Sequence, residues 1–248
     1  MLIQILTLFP EMFQGPFQNS ILKRAQEQNA VEFRLLNFRE FTTDKHRMVD
    51  DTPYGGGSGM VLKPEPIYRC LQHAKSGLPN VKTILLTPQG KTFTQTMAQQ
   101  FAAEDENLIF ICGHYEGFDE RIRQWVDQEV SIGDFVLTGG ELAVMVICDA
   151  IVRLLPGVLG SEESHICDSF TDNLLDFPQY TRPVEFAGLT VPEVLLSGHH
   201  AKIEVWRREQ AVLRTAIRRP DLLSNANLTE AEQRLLKNYQ IQIKDSQS

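Results

Sequence analysis

Five short apolar runs alternate with helical patterns across the first two thirds of the chain, and this alternation restricts the fold more than any other feature. The strand candidates are residues 2–9, 31–36, 83–87, 108–112 and 130–132. Helices are predicted at 10–13, 20–28, 64–73, 94–103 and 140–155, the last so apolar that burial nearly all round is expected until Pro156-Gly157 stops it. Strands that alternate with helices pair in parallel, because each helix carries the chain back along the sheet. The expected class is therefore α/β, a mostly parallel sheet with helices on both faces.

The pattern breaks at Ser161-Glu162-Glu163-Ser164-His165-Ile166-Cys167, which is polar and without periodicity. This predicts a domain at 1–160, a flexible linker at 161–168 and a second, small all-α domain at 169–248, well within what 248 residues can bury. In the second domain Ile203, Trp206, Leu213 and Ile217 repeat at helical spacing, and Pro220 closes that helix. Thr229-Glu230-Ala231-Glu232 has the form of a capping box, opening a last helix with Leu235, Leu236 and Tyr239, and the tail after Lys244 is expected to fray.

Cys70, Cys112, Cys148 and Cys167 stand far apart, which suggests neither a zinc site nor a disulfide framework and fits a reducing cytoplasm. The apolar start lacks a basic leader and stops at Pro10, so it reads as a buried strand, and no stretch approaches a membrane span. A net charge of −8 argues weakly against a nucleic-acid partner. Local charge runs the other way: Lys202, Arg207, Arg208, Arg214, Arg218 and Arg219 face only Glu204 and Glu209 between His199 and Arg219.

Gly90-Lys91-Thr92 resembles the end of a phosphate-binding loop, but Leu85 stands where that loop needs glycine. Gly55-Gly56-Gly57-Ser58-Gly59 is not the dinucleotide fingerprint, since Met60 takes the third glycine position; it reads as a flexible surface loop or as a place where a ligand approaches backbone. Three further segments each follow a strand candidate: Leu85-Leu86-Thr87-Pro88-Gln89-Gly90, Gly113-His114-Tyr115-Glu116-Gly117, and Ile132-Gly133-Asp134-Phe135-Val136-Leu137-Thr138-Gly139-Gly140. Each alone can be a tight turn. Together they would gather at the carboxyl ends of parallel strands, where open sheets bind ligands.

These loops resemble the bacterial tRNA (guanine-N(1)-)-methyltransferase family. The likeness extends to Asp51-Thr52-Pro53-Tyr54-Gly55-Gly56-Gly57, Pro156-Gly157-Val158-Leu159-Gly160, Asp176-Phe177-Pro178-Gln179-Tyr180-Thr181-Arg182-Pro183 and Leu196-Ser197-Gly198-His199-His200, in the family's order over nearly the full length. The resemblance implies a SPOUT-type domain with a deep trefoil knot, a homodimer with sites between subunits, and methylation of the guanosine 3′ of the anticodon, position 37. It implies an S-adenosyl-L-methionine site at Gly113 and Ile132, Gly133, Asp134, Phe135, Val136 and Leu137, lined by Leu86, Thr87, Pro88, Gln89, Tyr115, Glu116, Gly117, Gly139 and Gly140.

Ring N(1) of guanine carries a proton and is a poor nucleophile until that proton leaves, so a general base is needed. By resemblance the base is the aspartate of Asp168-Ser169-Phe170, a residue that also reads as a helix N-cap. Negative charge then grows on the purine's carbonyl oxygen, and the matching arginine is Arg153, which equally suits the C-terminal dipole of the apolar helix. Magnesium near Glu116 is a further implication of the resemblance.

The tRNA anticodon arm is the expected partner, held by Ser169, His199, Lys202, Arg207, Arg208 and Arg214. The alternative is an ordinary solvated helix face with Glu204 and Arg208 as an i,i+4 pair. Phe135, Phe177, Gln179 and Cys167 depart from the family's commoner tyrosine, cysteine, histidine and acidic residue. Methylation of a ribose hydroxyl, or RNA binding without catalysis, are the rival functions.

Overall fold

The computed structural model describes residues 1–104, 106–159 and 168–246, with side chains to residue 239. The chain divides into two compact units, Met1–Glu162 and Glu163–Ser248. The stretch 161–167 of the expected linker, with Cys167, lies outside the described residues, as do Gly160 and the last two residues.

The first unit runs β1 (Leu2–Thr7), a 3-10 turn, α1 (Gln14–Phe17), α2 (Ser20–Glu27), β2 (Glu32–Asn37), β3 (Asp50–Asp51), β4 (Val61–Leu62), α3 (Pro64–Lys75), β5 (Val81–Thr92), α4 (Gln95–Ala103), β6 (Asn107–Ile111), β7 (Gln128–Ser131) and α5 (Glu141–Val152). Five strands form one sheet in the order β2-β1-β6-β5-β7, and every neighbouring pair is parallel.

Alternation along the strands sends side chains to two cores. Ile3, Ile5, Ile84, Leu86, Leu108 and Phe110 pack with α2, α4 and α5. Leu6, Leu85, Ile109 and Ile111 pack with Ile67, Cys70 and Leu71 of α3. Central strand β6 is therefore buried on both faces, which is why its sequence is an unbroken apolar run. Thr94 starts α4 by accepting the Met97 N–H at 3.3 Å, and Pro64 occupies the first turn of α3, where its missing N–H costs nothing.

Two expectations need correction here. The strand expected at 83–87 continues as β5 to Thr92, with its pairing to β7 interrupted between Leu86 and Lys91 so that the intervening residues bulge from the ladder. Helix α5 ends at Val152, short of 155, and is not buried all round: Leu142 is 48% and Val146 53% exposed.

After β7 the chain crosses back from the sheet edge. Gly140 N–H donates to Gly113 O at 3.0 Å, and Gly139 forms a bridge with His114. Since β5 lies between β7 and β6, the segment 132–140 must pass the carboxyl end of β5 to reach that pairing.

The second unit holds β8 (Glu185–Phe186), β9 (Leu189–Thr190), α6 (Glu193–Leu196), α7 (His200–Arg218) and α8 (Glu230–Ser246). It is helical but not all-α, since β8 and β9 form an antiparallel hairpin. The capping box is present in both directions: Thr229 N–H donates to Glu232 Oε2 at 2.7 Å and Glu232 N–H to Thr229 Oγ1 at 3.3 Å. The backbone of α8 continues past Lys244 to Ser246.

The expected stripe on α7 is displaced. Ala211, Val212 and Thr215 are buried, whereas Ile217 is 60% exposed. Ala211 and Val212 join Leu174 in a small core against which Phe177, Leu223 and Leu236 pack. Thr215 can be buried because its hydroxyl donates to Ala211 O at 2.7 Å and accepts the Leu175 N–H at 2.8 Å.

Candidate functional site

The bulge within β5 and the turns after β6 and β7 enclose one cavity of about 510 Å³. Every residue expected at the methyl-donor site lines it except Asp134, which is exposed on the turn where Phe135 N–H bonds Gly133 O at 3.0 Å. The lining also includes residues outside that expected set, among them His114, Phe118, Glu120, Arg123 and Thr138.

Close approach explains the glycines. A Cβ on Gly113 would lie 2.5 Å from the Phe118 ring, on Gly139 2.3 Å from the His114 ring, and on Gly140 2.9 Å from Cys112 Cα. Tyr115, 54% exposed, holds a left-handed backbone (φ 59°), a conformation a bulky residue adopts only where its surroundings impose it.

The glycine-rich run is anchored to this wall at one end. Glu116 N–H donates to Met60 O at 3.0 Å, Leu62 N–H to Gly117 O at 2.9 Å, and a Cβ on Gly59 would fall 2.4 Å from Glu116 Oε1. Gly55 and Gly56 meet open space. At the lip, Arg123 Nη2 donates to Gln89 Oε1 at 2.8 Å and Nε to Glu120 Oε2 at 2.9 Å, while Glu129 completes its pairing. That network fixes the direction of Gln89.

Behind the cavity, Glu141 is 1% exposed. Its Oε2 meets His114 Nε2 at 2.7 Å, and its Oε1 accepts the Thr7 hydroxyl at 2.6 Å. Burial, then the nearby Glu141, pushes the Cys112 thiol well above its ordinary range.

Arg153 is the C-cap of α5, at the negative end of the helix dipole, as its alternative reading requires. Asp168 belongs to the second unit. Residues 169–174 form turns and bends, so the helix that an N-cap role for Asp168 would need does not follow it. Instead Thr171 N–H donates to Asp168 O at 3.3 Å, and Ser169 Oγ accepts the Asp176 N–H at 2.9 Å, folding Asp168-Ser169-Phe170 against Asp176.

His199, which precedes α7, and Lys202 on it are exposed. Arg207 pairs with Glu204 at 2.7 Å and lies over the Phe177 ring. Arg208 bonds Glu232, Asp172 and Asn227 O, so the i,i+4 pair expected with Glu204 is replaced by an i,i+3 pair to Arg207. Arg214 reaches Asp176 O at 3.4 Å.

Among the described residues no three His, Cys, Asp or Glu side chains are arranged to hold a metal ion, and Glu116 faces Gly59 instead. No helix among those residues is long and apolar enough to cross a membrane.

A family model described as tRNA (Guanine-1)-methyltransferase TrmD matches residues 1–225. Curated relatives named tRNA (guanine-N(1)-)-methyltransferase include that of Staphylococcus carnosus (strain TM300), 55% identical over 98% of this chain and 99% of its own. That of Bacillus subtilis (strain 168) is 56% identical over 97% and 99%, and that of Halalkalibacterium halodurans 58% over 95% and 96%.

Proposed function

Because the chain belongs to the tRNA (guanine-1)-methyltransferase family, we propose that it methylates ring N(1) of the guanosine 3′ of the anticodon, position 37, using S-adenosyl-L-methionine. The observation that carries this reading is a cavity enclosed by the bulge of β5 and the glycine-bearing turns after β6 and β7. Backbone N–H and C=O groups in such turns can read an adenine edge, and glycines let a folded methionine moiety lie against the main chain. Bound there, the donor supplies an electrophilic methyl sulfonium that needs no covalent activation.

In this reading Asp168 removes the N(1) proton and Arg153 steadies the charge that grows on the purine oxygen. A donor held there would pass its methyl to N(1) and keep the C–S electron pair on sulfur as a neutral thioether. Asp168 carries the proton away.

The anticodon arm is held by the second unit. His199 and Lys202 suit the phosphate contacts, because cations near a helix N-terminus gain nothing from the dipole and stand exposed beside its free N–H groups. Ser169, Arg207 and Arg214 complete the surface. The crossing of segment 132–140 past β5 supports a deep trefoil knot. Exposed Leu142 and Val146 on α5, with Phe9 and Met12, support an isologous homodimer whose sites lie between subunits. A tRNA substrate places the enzyme in the cytoplasm.

Mass mapping of unmodified tRNA incubated with enzyme and labelled donor tests the position. The expected product is 1-methylguanosine immediately 3′ of the anticodon. Label on a ribose, or at another guanosine, would overturn the assignment.

A further inference from the structure

Glu141 is the first residue of α5, with 1% of its surface exposed, and it lies behind the lining of the cavity. Two distant segments converge on its carboxylate. Thr7, at the end of β1, has its hydroxyl oxygen occupied by the Phe9 N–H at 2.9 Å, so its own proton is directed to Glu141 Oε1 at 2.6 Å. The second oxygen faces His114 Nε2 at 2.7 Å, a match when Nε2 carries the hydrogen. His114 lines the cavity from the turn after β6, with its ring 4.7 Å from that of Phe9.

Gly139 stands at the same point. A Cβ there would lie 2.3 Å from His114 Nε2 and 2.5 Å from Glu141 Oε2, in the space the pair itself occupies. The glycine and the buried pair are therefore one construction: the bare backbone lets the imidazole reach the carboxylate, and the contact binds the turn at Gly113 to the turn at Gly139-Gly140. A buried charged hydrogen bond is strong when satisfied and costly when broken, so it suits a joint that must not open.

We propose that Glu141 and His114 are positioning residues for the methyl donor: the carboxylate, braced by Thr7, clamps the two glycine turns whose separation sets the width of the cavity. The inference rests on the reading that this cavity holds the donor. It assigns neither residue contact with the reacting atoms, so its signature is donor affinity and not the chemical step.

The test is steady-state methyl transfer and donor-binding calorimetry on the full chain, below each variant's melting midpoint. Glu141→Ala is expected to raise the donor KM and Kd by about tenfold or more. Its tRNA KM and its kcat stay within about threefold of wild type. Glu141→Gln and His114→Gln, which keep a polar group at the joint, recover donor KM to within about threefold, while His114→Phe does not. Where Glu141→Ala fails to fold, Thr7→Val removes the brace alone and is expected to raise donor KM by a smaller factor.

Donor KM within about twofold of wild type in Glu141→Ala, or equal defects in His114→Gln and His114→Phe, would overturn the inference while leaving the cavity assignment standing. Wild-type protein that binds no donor would overturn the cavity assignment itself, and the inference with it.

Discussion

Arg208 donates through Nε to Glu232 at 2.9 Å, and the same carboxylate accepts the Thr229 N–H at 2.7 Å. One glutamate thus closes the capping box of α8 and ties that helix to α7. This arginine, one of three that sequence assigns to tRNA, is engaged inside its own unit, whereas Lys202 is exposed. Arg208→Ala is expected to destabilise the protein by about 1 kcal/mol, seen in thermal unfolding. Lys202→Ala leaves the melting midpoint unchanged, weakens tRNA binding and lowers the salt slope by about one. The reverse pattern would assign the two cations the opposite way.

Acid should weaken the same joint. Burial opposes ionisation of Glu232, but the Thr229 N–H and Arg208 outweigh it and hold the carboxyl below its ordinary value of 4.5. A lowered folded pKa contributes stability that is present above the ordinary value and lost as pH falls through the folded one. Stability is expected to drop below pH 4.5 by more in wild type than in Glu232→Gln, measured by denaturant titration across that window. Parallel acid profiles would show that Glu232 contributes nothing there.

Two glycine substitutions should separate packing from backbone conformation. Gly140→Ala puts a methyl 2.9 Å from the Cys112 backbone, which cannot swing away as a side chain would. It is expected to cost about 1–3 kcal/mol and to weaken donor binding. Gly55→Ala meets nothing within 4 Å but sits at φ +86°, so it costs about 1 kcal/mol of backbone strain and leaves donor affinity unchanged. Calorimetric donor binding with melting curves checks both, and a donor-binding loss from Gly55→Ala would mean that loop reaches the ligand.

The buried thiols should be inert. Burial, then Glu40, pushes Cys70 up to about 12, and burial also raises Cys112 and Cys148. Iodoacetamide near pH 8 is expected to leave all three unmodified in native protein and to label them after denaturation, as read by peptide mapping. Because these thiols keep their protons in the folded state beyond the ordinary value of 9.0, stability is also lost as pH rises past it. Native labelling of Cys112 would contradict a closed wall behind Gly140.

The sheet is legible in the sequence because buried parallel strands must be short apolar runs; the candidate at 108–112 differs from Asn107–Ile111 only at its ends. The turns at Gly113 and Gly139-Gly140 are legible because backbone contact demands glycine. Glu141 is not. Its partners Thr7 and His114 lie 134 and 27 residues away, and no local period reports such a contact. The available signal is a carboxylate directly after Gly-Gly at the head of a helix whose next seven residues are apolar. The displaced stripe of α7 has a related cause: Thr215 and Arg208 face inward because hydrogen bonds satisfy them, and hydrophobic periodicity has no term for a satisfied polar group. The roles of Asp168 and Arg153 come from resemblance and reaction chemistry, since neither spacing nor composition marks a base.

Single-turnover methyl transfer by Asp168→Asn tests the central claim most directly, with labelled donor and unmodified tRNA carrying a guanosine 3′ of the anticodon. The account predicts a rate lower by about a hundredfold or more, with donor and tRNA affinities unchanged, because the amide keeps the shape of the side chain but cannot take the proton. Transfer at the wild-type rate would contradict it.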